Sequence, residues 1–407
     1  MLTYRYTARD AATGKKMSAE VQASSEQAAA KLLHEQGLSP IEIKPITAIG
    51  NNPVSKFKNR IGTKDKVLFS RQLSTLINAG LPLLQSLRTV GNQAQNKAFK
   101  VVIMEVVSDV EAGSSLSAAL ARHPRVFNRV YISLVAAGEA SGTLDKSLER
   151  LANQQEKDAE IISKVRGAMV YPLIVIVVMG AVVTFMMVKV VPQVEELYKN
   201  IGSNTQLPFI TLALITVSKA MTKFWYVFII LAGVAVFFGS RWARTLGGKR
   251  VIDKFKMRAP ALGKLFMKMY MARFARTGAT LVGSGVPLIQ MLEITGTSIN
   301  NYHIEASLTR ATEKVKGGKA LSDSLAGDPN FLTLVPDMLH IGEQSGAMEE
   351  MMEKIADYYE KEVDEEIKAI STIIEPALMV LLGIFAFIIV AAILLPVYSL
   401  AGKGINI

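Results

Sequence analysis

Two long stretches of this chain repeat each other almost without gaps, and that repeat limits the possible folds more than any other feature. The segment FSRQLSTLINAGLPLLQSL from Phe69 returns as FARTGATLVGSGVPLIQML from Phe274, so that Pro82 pairs with Pro287. At the same offset VEAGSSLSAAL from Val110 matches VKGGKALSDSL from Val315. One residue is lost near Phe127 and Phe331, after which GEASG (Gly138–Gly142) matches GEQSG (Gly342–Gly346). The new register then holds through Pro172 with Pro376 and Pro192 with Pro396. A repeat of this length is one structural unit used twice, and here each copy runs directly into an apolar stretch.

Those apolar stretches set the second constraint. A bilayer core about 30 Å thick needs roughly 20 apolar residues in a helix, and three segments approach that length: 172–191, 221–240 and 374–398. The first two are short, and Lys189 and Lys223 are placed to reach the interface. Leu207–Val217 is too short to span and reads as a surface or interfacial helix. Half the residues are hydrophobic, which suits soluble domains threaded on a few spans. The net charge of +11 is concentrated beside the spans: Arg241, Arg244, Lys249, Arg250, Lys254, Lys256 and Arg258 follow the second one. That distribution is the signature of a cytoplasmic loop rather than of nucleic-acid binding. The loop between the first two spans is nearly balanced, with Glu195, Glu196, Lys199 and Lys219. The expected topology therefore has the N-terminus and both repeats inside and the C-terminal tail outside. Met1–Asp10 has no apolar run behind its charges, so no cleaved signal peptide is expected.

Between the spans the pattern is helical. Leu144, Leu148 and Leu151 fall at i, i+4, i+7, and Met348, Met352, Ile355, Tyr359, Val363 and Ile367 continue the same kind of stripe. The helix from Thr143 into the first span would reach roughly 70 Å at 1.5 Å per residue, with Pro172 expected to kink it. Gly80 before Pro82, and Gly285 before Pro287, put a helix stop just ahead of a helix start, the mark of a hairpin corner. The N-terminus differs: strands flank Ala11–Gly14, a helix is predicted over Ser25–Gln36, and a strand over Leu38–Lys44. The chain therefore divides into an N-terminal α/β module (1–44), a basic linker (45–66) and a first helical repeat (67–171). A span (172–191), an outer loop (192–220), a second span (221–240) and a second repeat (241–373) follow. A third span (374–398) and an outer tail (399–407) complete the reading, whose fold class is mainly α, an integral membrane protein with three transmembrane helices.

The search for chemistry returns little. The chain has no cysteine, so disulfides and thiolate chemistry are excluded. TGKK at Thr13 lacks the glycine spacing and the hydroxyl residue of a phosphate-binding loop. His34, His123, His303 and His340 show no paired-ligand spacing, and no serine sits in a nucleophile elbow. No enzyme activity, metal or cofactor is expected. The spans carry no ionisable residue at their middles, which weighs against the alternative reading as a membrane transporter or channel subunit. The most informative polar signal is the twin GExSG loop, with Gly138, Glu139, Ser141 and Gly142 matched by Gly342, Glu343, Ser345 and Gly346. Each is read either as a helix-capping turn or as a partner-contact or cation site. Glu375, just before Pro376, is either paired within the bundle or level with the lipid headgroups.

The twin GExSG loops, the GLPLLQSL and GVPLIQML corners, the repeats running into YPLIVIVV and EPALMVLL, and the closing ILLPVYSL resemble the inner-membrane platform proteins of type II secretion systems and type IV pili. The resemblance covers essentially the whole chain. It implies two cytoplasmic six-helix bundles on three spans, and a homo-oligomer in the bacterial inner membrane. It also implies partners: a cytoplasmic hexameric assembly ATPase, the transmembrane helices of pilins or pseudopilins, and other inner-membrane assembly proteins, with no nucleic acid among them. No catalytic set is carried over. The matched positions are the eight loop residues above with Pro82 and Pro287 at the corners and Pro172 and Pro376 at the membrane entries. If related domains hold a cation near the first loop, this chain offers Gln85, Ser86 and Thr143 there rather than further carboxylates.

Overall fold

The computed structural model describes residues 2–10, 16–23, 30, 32–33, 37–45, 61–193, 195–196, 209–260 and 262–403. The chain divides into two compact units, Met1–Asp65 with Gly91–Glu105, and Lys66–Val90 with Val106–Ile407.

In the first unit, β1 (Leu2–Asp10), β2 (Lys16–Ala23) and β3 (Leu38–Pro45) form an antiparallel sheet in the order β2-β1-β3. Along β1, Tyr6 and Ala8 alternate with Arg5, Thr7 and Arg9, and this period of two buries Tyr6 and Ala8 with Leu33 and Leu38. A register shift between Thr7 and Ala8 marks the pairing of β1 with β3. Most of the helix expected over Ser25–Gln36, and the linker up to residue 60, lie outside the described residues. Asn96 closes the unit's helical part: its Oδ1 accepts from the Ala98 and Phe99 amides at 3.1 and 3.2 Å, and its Nδ2 donates to Asp65.

The first repeat comprises α1 (Thr63–Asn78), α2 (Leu83–Gln93), α3 (Lys97–Glu111), α4 (Leu116–Ala121), α5 (Arg129–Ser141) and α6 (Leu144–Phe185). Helix α1 starts at Thr63, inside the segment expected as linker, because Asp65 in its first turn accepts from the Gly62 amide at 2.8 Å. The second repeat comprises α10 (Leu262–Gly283), α11 (Leu288–Ile299), α12 (Tyr302–Lys316), α13 (Leu321–Leu325), α14 (Leu334–Ser345) and α15 (Met348–Lys403). Between them lie α7 (Phe209–Lys223), α8 (Trp225–Ala243) and α9 (Leu246–Arg258).

The two repeats have cores of one design. Phe69 packs on Phe127 at 5.9 Å between ring centroids, and Phe274 packs on Phe331 at 5.3 Å in the matching place. Arg71 Nε donates to Glu156 at 2.6 Å in the first repeat, and Arg276 Nε donates to Glu360 at 2.8 Å in the second. Leu73, Leu87, Leu120, Leu134 and Leu148 are fully buried in one; Leu292, Leu308, Leu325, Leu339 and Met352 are buried in the other. Each such side chain contributes about 1.5–3 kcal/mol by leaving water. At one station the first core has a polar pair, Ser70 Oγ with Tyr131 Oη at 3.2 Å, where the second is apolar. Its counterparts are Ala275 and Val335, and burial pushes the Tyr131 phenol up.

Among the described residues three helices are long and apolar enough to cross a membrane: α6 with its continuation to Gln193, α8, and α15. Helix α6 continues through Pro172, and α15 runs on through Pro376 and past residue 399 to Lys403. Beyond Phe185 the first of these widens into a π-helical turn over Met186–Val190, where the buried Ser218 hydroxyl of α7 donates to the Met187 carbonyl. The second span differs from its expected limits. Helix α7 runs through Lys223, the backbone leaves helical geometry at Phe224 (φ −115°, ψ 22°), and α8 ends at Ala243. Met221–Lys223 thus belong to the preceding helix.

Candidate functional site

The two glycines, the glutamate and the serine of each GExSG loop have distinct physical jobs, and the jobs repeat. Gly138 sits where α5 crosses α6: a Cβ there would fall 2.6 Å from Ser147 Oγ and 3.1 Å from Leu144 Cα. At Gly342 a Cβ would lie 3.2 Å from Met348 Cα and from Met351 Cβ, a looser version of the same crossing. The Glu139 carboxylate accepts from the Leu116 amide and, at 3.0 Å, from the Ser117 amide. The Glu343 carboxylate accepts from the Leu321 amide, from the Ser322 amide at 3.2 Å, and from the Ser322 hydroxyl. Each glutamate thereby satisfies the first turn of the short helix that precedes its own, where unbonded amides and the helix dipole favour an anion. Ser141 and Ser345 donate to the carbonyls four residues back at 2.8 and 2.7 Å. Gly142 and Gly346 end their helices with φ of 70° and 71°, a left-handed turn that costs an L side chain strain.

The hairpin corners repeat as closely. Gly80 and Gly285 take φ of 82° and 81°. The following residue closes the old helix, Leu81 to Leu76 at 3.1 Å and Val286 to Leu281 at 3.0 Å. The Pro82 and Pro287 carbonyls accept the first bond of the new helix, both at 2.9 Å from Ser86 and Met291. Pro287 is the N-cap of α11. Glu375 is exposed on α15. Among the described residues no three His, Cys, Asp or Glu side chains gather as metal ligands.

The structure also joins the repeats along a seam that the sequence pattern does not announce. Here α6 packs against α10 and α15. Gln154 is buried and bonded at both ends, its Nε2 donating to Thr277 Oγ1 at 3.3 Å and its Oε1 accepting from Thr280 Oγ1 at 3.2 Å. Around it stand the ion pairs Arg150–Glu349 at 2.5 Å and Lys164–Asp364 at 2.6 Å. Asp158 lies 3.7 Å from Arg273; burial pushes its carboxyl up, against the pull of that guanidinium. Ile161, Leu265 and Val363 form the apolar floor. A cleft of about 410 Å³ opens beside Gln154, lined by Arg150, Lys157, Arg276, Glu349 and Asp357 among others. Its cations are matched by acids already, Lys157 with Glu360 at 3.9 Å and Arg276 with Glu360 and Asp357. The available signal was the pair Thr277 and Thr280, polar residues one turn apart on the buried side of α10.

Comparison with known proteins follows the same division of the chain. Residues 69–192 and 274–396 both match the family described as Type II secretion system (T2SS), protein F. Residues 1–44 match its N-terminal domain. The chain is 39% identical over 414 residues to the type IV pilus assembly protein PilC of Thermus thermophilus, covering 99% of both chains. It is 36% identical over 393 residues to the PilC of Myxococcus xanthus, covering 96% of this chain and 93% of the relative. It is 31% identical over 403 residues to the type II secretion system protein F of Xanthomonas campestris, covering 98% of this chain and 99% of that one. With both repeats and the N-terminal module matched in order, this chain belongs to the type II secretion system protein F family.

Proposed function

We propose that the protein is the inner-membrane platform of a type IV pilus or type II secretion machine. It couples a cytoplasmic hexameric assembly ATPase to the insertion or extraction of pilin or pseudopilin subunits, and it catalyses no reaction of its own. The N-terminus and both repeats lie in the cytoplasm, the tail lies in the periplasm, and the working form is a homo-oligomer. The reading is carried by the full-length likeness to proteins named for pilus assembly and for secretion. It is supported by the seam, which fastens a helix running into the first span to one running into the third. Identity is higher to the two pilus proteins, 39% and 36%, than to the secretion protein, 31%, so the pilus is the first pathway to test.

Affinity capture from the native membrane after mild crosslinking is the test. Recovery of an assembly ATPase together with pilins supports the platform. Recovery of neither, with small-molecule uptake by liposomes holding the pure protein, replaces it with a transporter. For topology, a reporter active only in the periplasm gives signal when fused after Ser203 and none after Lys249; the reverse pattern overturns the orientation.

A further inference from the structure

Helix α9 leaves the end of α8 with almost no slack. Thr245 Oγ1 donates to the Trp242 carbonyl at 2.7 Å and accepts from the Gly248 amide at 3.1 Å. A Cβ at Gly248 would fall 2.0 Å from that same carbonyl oxygen, so the corner closes only because the residue is glycine. Helix α9 therefore stays beside the end of a membrane-crossing helix, next to the exposed Trp242 and Arg241, residue types that favour the membrane interface.

One side of α9 is fastened to the second repeat. The Asp253 carboxylate accepts from the Tyr302 amide at 3.0 Å, at the start of α12. On the same side the Asn301 amide reaches Met257 Sδ at 3.5 Å, and His303 Nε2 lies 3.1 Å from the Arg250 carbonyl. At 3.6 residues per turn the opposite side carries Val251, Lys254, Phe255 and Arg258. Val251 is 55% exposed and Phe255 71% exposed. The helix holds five cationic side chains, and its one acid, Asp253, faces inward. Two exposed apolar side chains flanked by cations, on a helix tied to the end of a span, match the requirements of the boundary between headgroups and acyl chains.

We infer that α9 is an interfacial anchor. Val251 and Phe255 bed into the bilayer that α8 crosses, while Lys254 and Arg258 meet the phosphates of anionic phospholipids. The grounds are charge complementarity and continuity with α8, and the inference depends on α8 spanning the membrane, not on the pilus or secretion pathway.

The test uses the full chain in vesicles, with Trp225→Phe and Trp242→Phe removing both native indoles and Phe255→Trp supplying the only one. Vesicles contain brominated phosphatidylcholine with or without phosphatidylglycerol. Emission from position 255 is expected to be blue-shifted and quenched by the bromines when phosphatidylglycerol is present. Quenching should fall when phosphatidylglycerol is omitted, or when Lys254→Gln and Arg258→Gln are added. A parallel chain that keeps Trp242 and Phe255 reports insertion of α8, so a missing signal at 255 bears on α9 alone. Absence of quenching there, including a blue shift without quenching as a covering protein copy would give, overturns the inference. So does quenching indifferent to phosphatidylglycerol and to the two cations.

Discussion

The Glu293 carboxylate lies 3.2 Å from the Lys316 ammonium, between the second and third helices of its repeat. The matching station of the first repeat holds Arg88 and Glu111, with Arg88 Nε donating at 2.7 Å. The contact is kept while its signs are exchanged, so the geometry and not the charge of either helix is what both copies share. Reversing Glu293→Arg alone, or Lys316→Glu alone, should lower the melting temperature slightly, as expected for an exposed pair. The double exchange should restore it. A double variant no better than the singles would mean that one side chain has another role.

Gly138→Ala should destabilise the first repeat by about 1–3 kcal/mol, the range for overpacking a tight crossing. Gly342→Ala should cost less, because its nearest neighbours stand at 3.2 Å rather than 2.6 Å. Denaturant unfolding of the detergent-solubilised protein gives the comparison, and an inverted order would contradict the crossing geometry.

Glu139→Ala strands two backbone amides of a helix start, and Glu343→Ala does the same while freeing the Ser322 hydroxyl. Each should cost about 1–2 kcal/mol, as for a lost N-cap. Unfolding measured beside an assembly assay separates capping from contact. Loss of assembly with unchanged stability would point to a partner surface instead.

The Arg71 guanidinium bonded to Glu156 holds its carboxyl below the ordinary glutamate value. A depressed acid adds stability that is fully present above its unfolded value and lost as pH falls through its folded one. Glu156→Gln should therefore be less stable than the native chain at neutral pH, with the gap closing in acid. A gap that widens on acidification would reverse the assignment. The melting temperature as a function of pH reads it.

The fold class was legible because apolar periodicity, hairpin corners and span lengths act locally. Pro82 and Pro287 carry their meaning beside their own glycines, and Tyr6 and Ala8 carry theirs within one strand. Glu139 was legible only as a site of interest. The amides it caps, at Leu116 and Ser117, lie two helices' worth of chain earlier, and no pattern links an acid to a distant helix start. Gln154 was silent altogether. Its partners Thr277 and Thr280 follow more than a hundred residues later, and one buried amide between two hydroxyls leaves no periodic trace. The helix break at Phe224 was also missed, since Met221–Lys223 continue α7 and hydropathy does not mark where a helix bends.

The seam has a mechanical meaning. Arg150, Gln154 and Lys164 grip α6 along its near half, and the same rod continues without interruption through Pro172 into the span. From Lys164 to Gln193 is roughly 40 Å of helix at 1.5 Å per residue. A tilt of about 5° at the grip then swings the far tip by about 3.5 Å, so small rearrangements among these side chains are geared up at the opposite face of the bilayer.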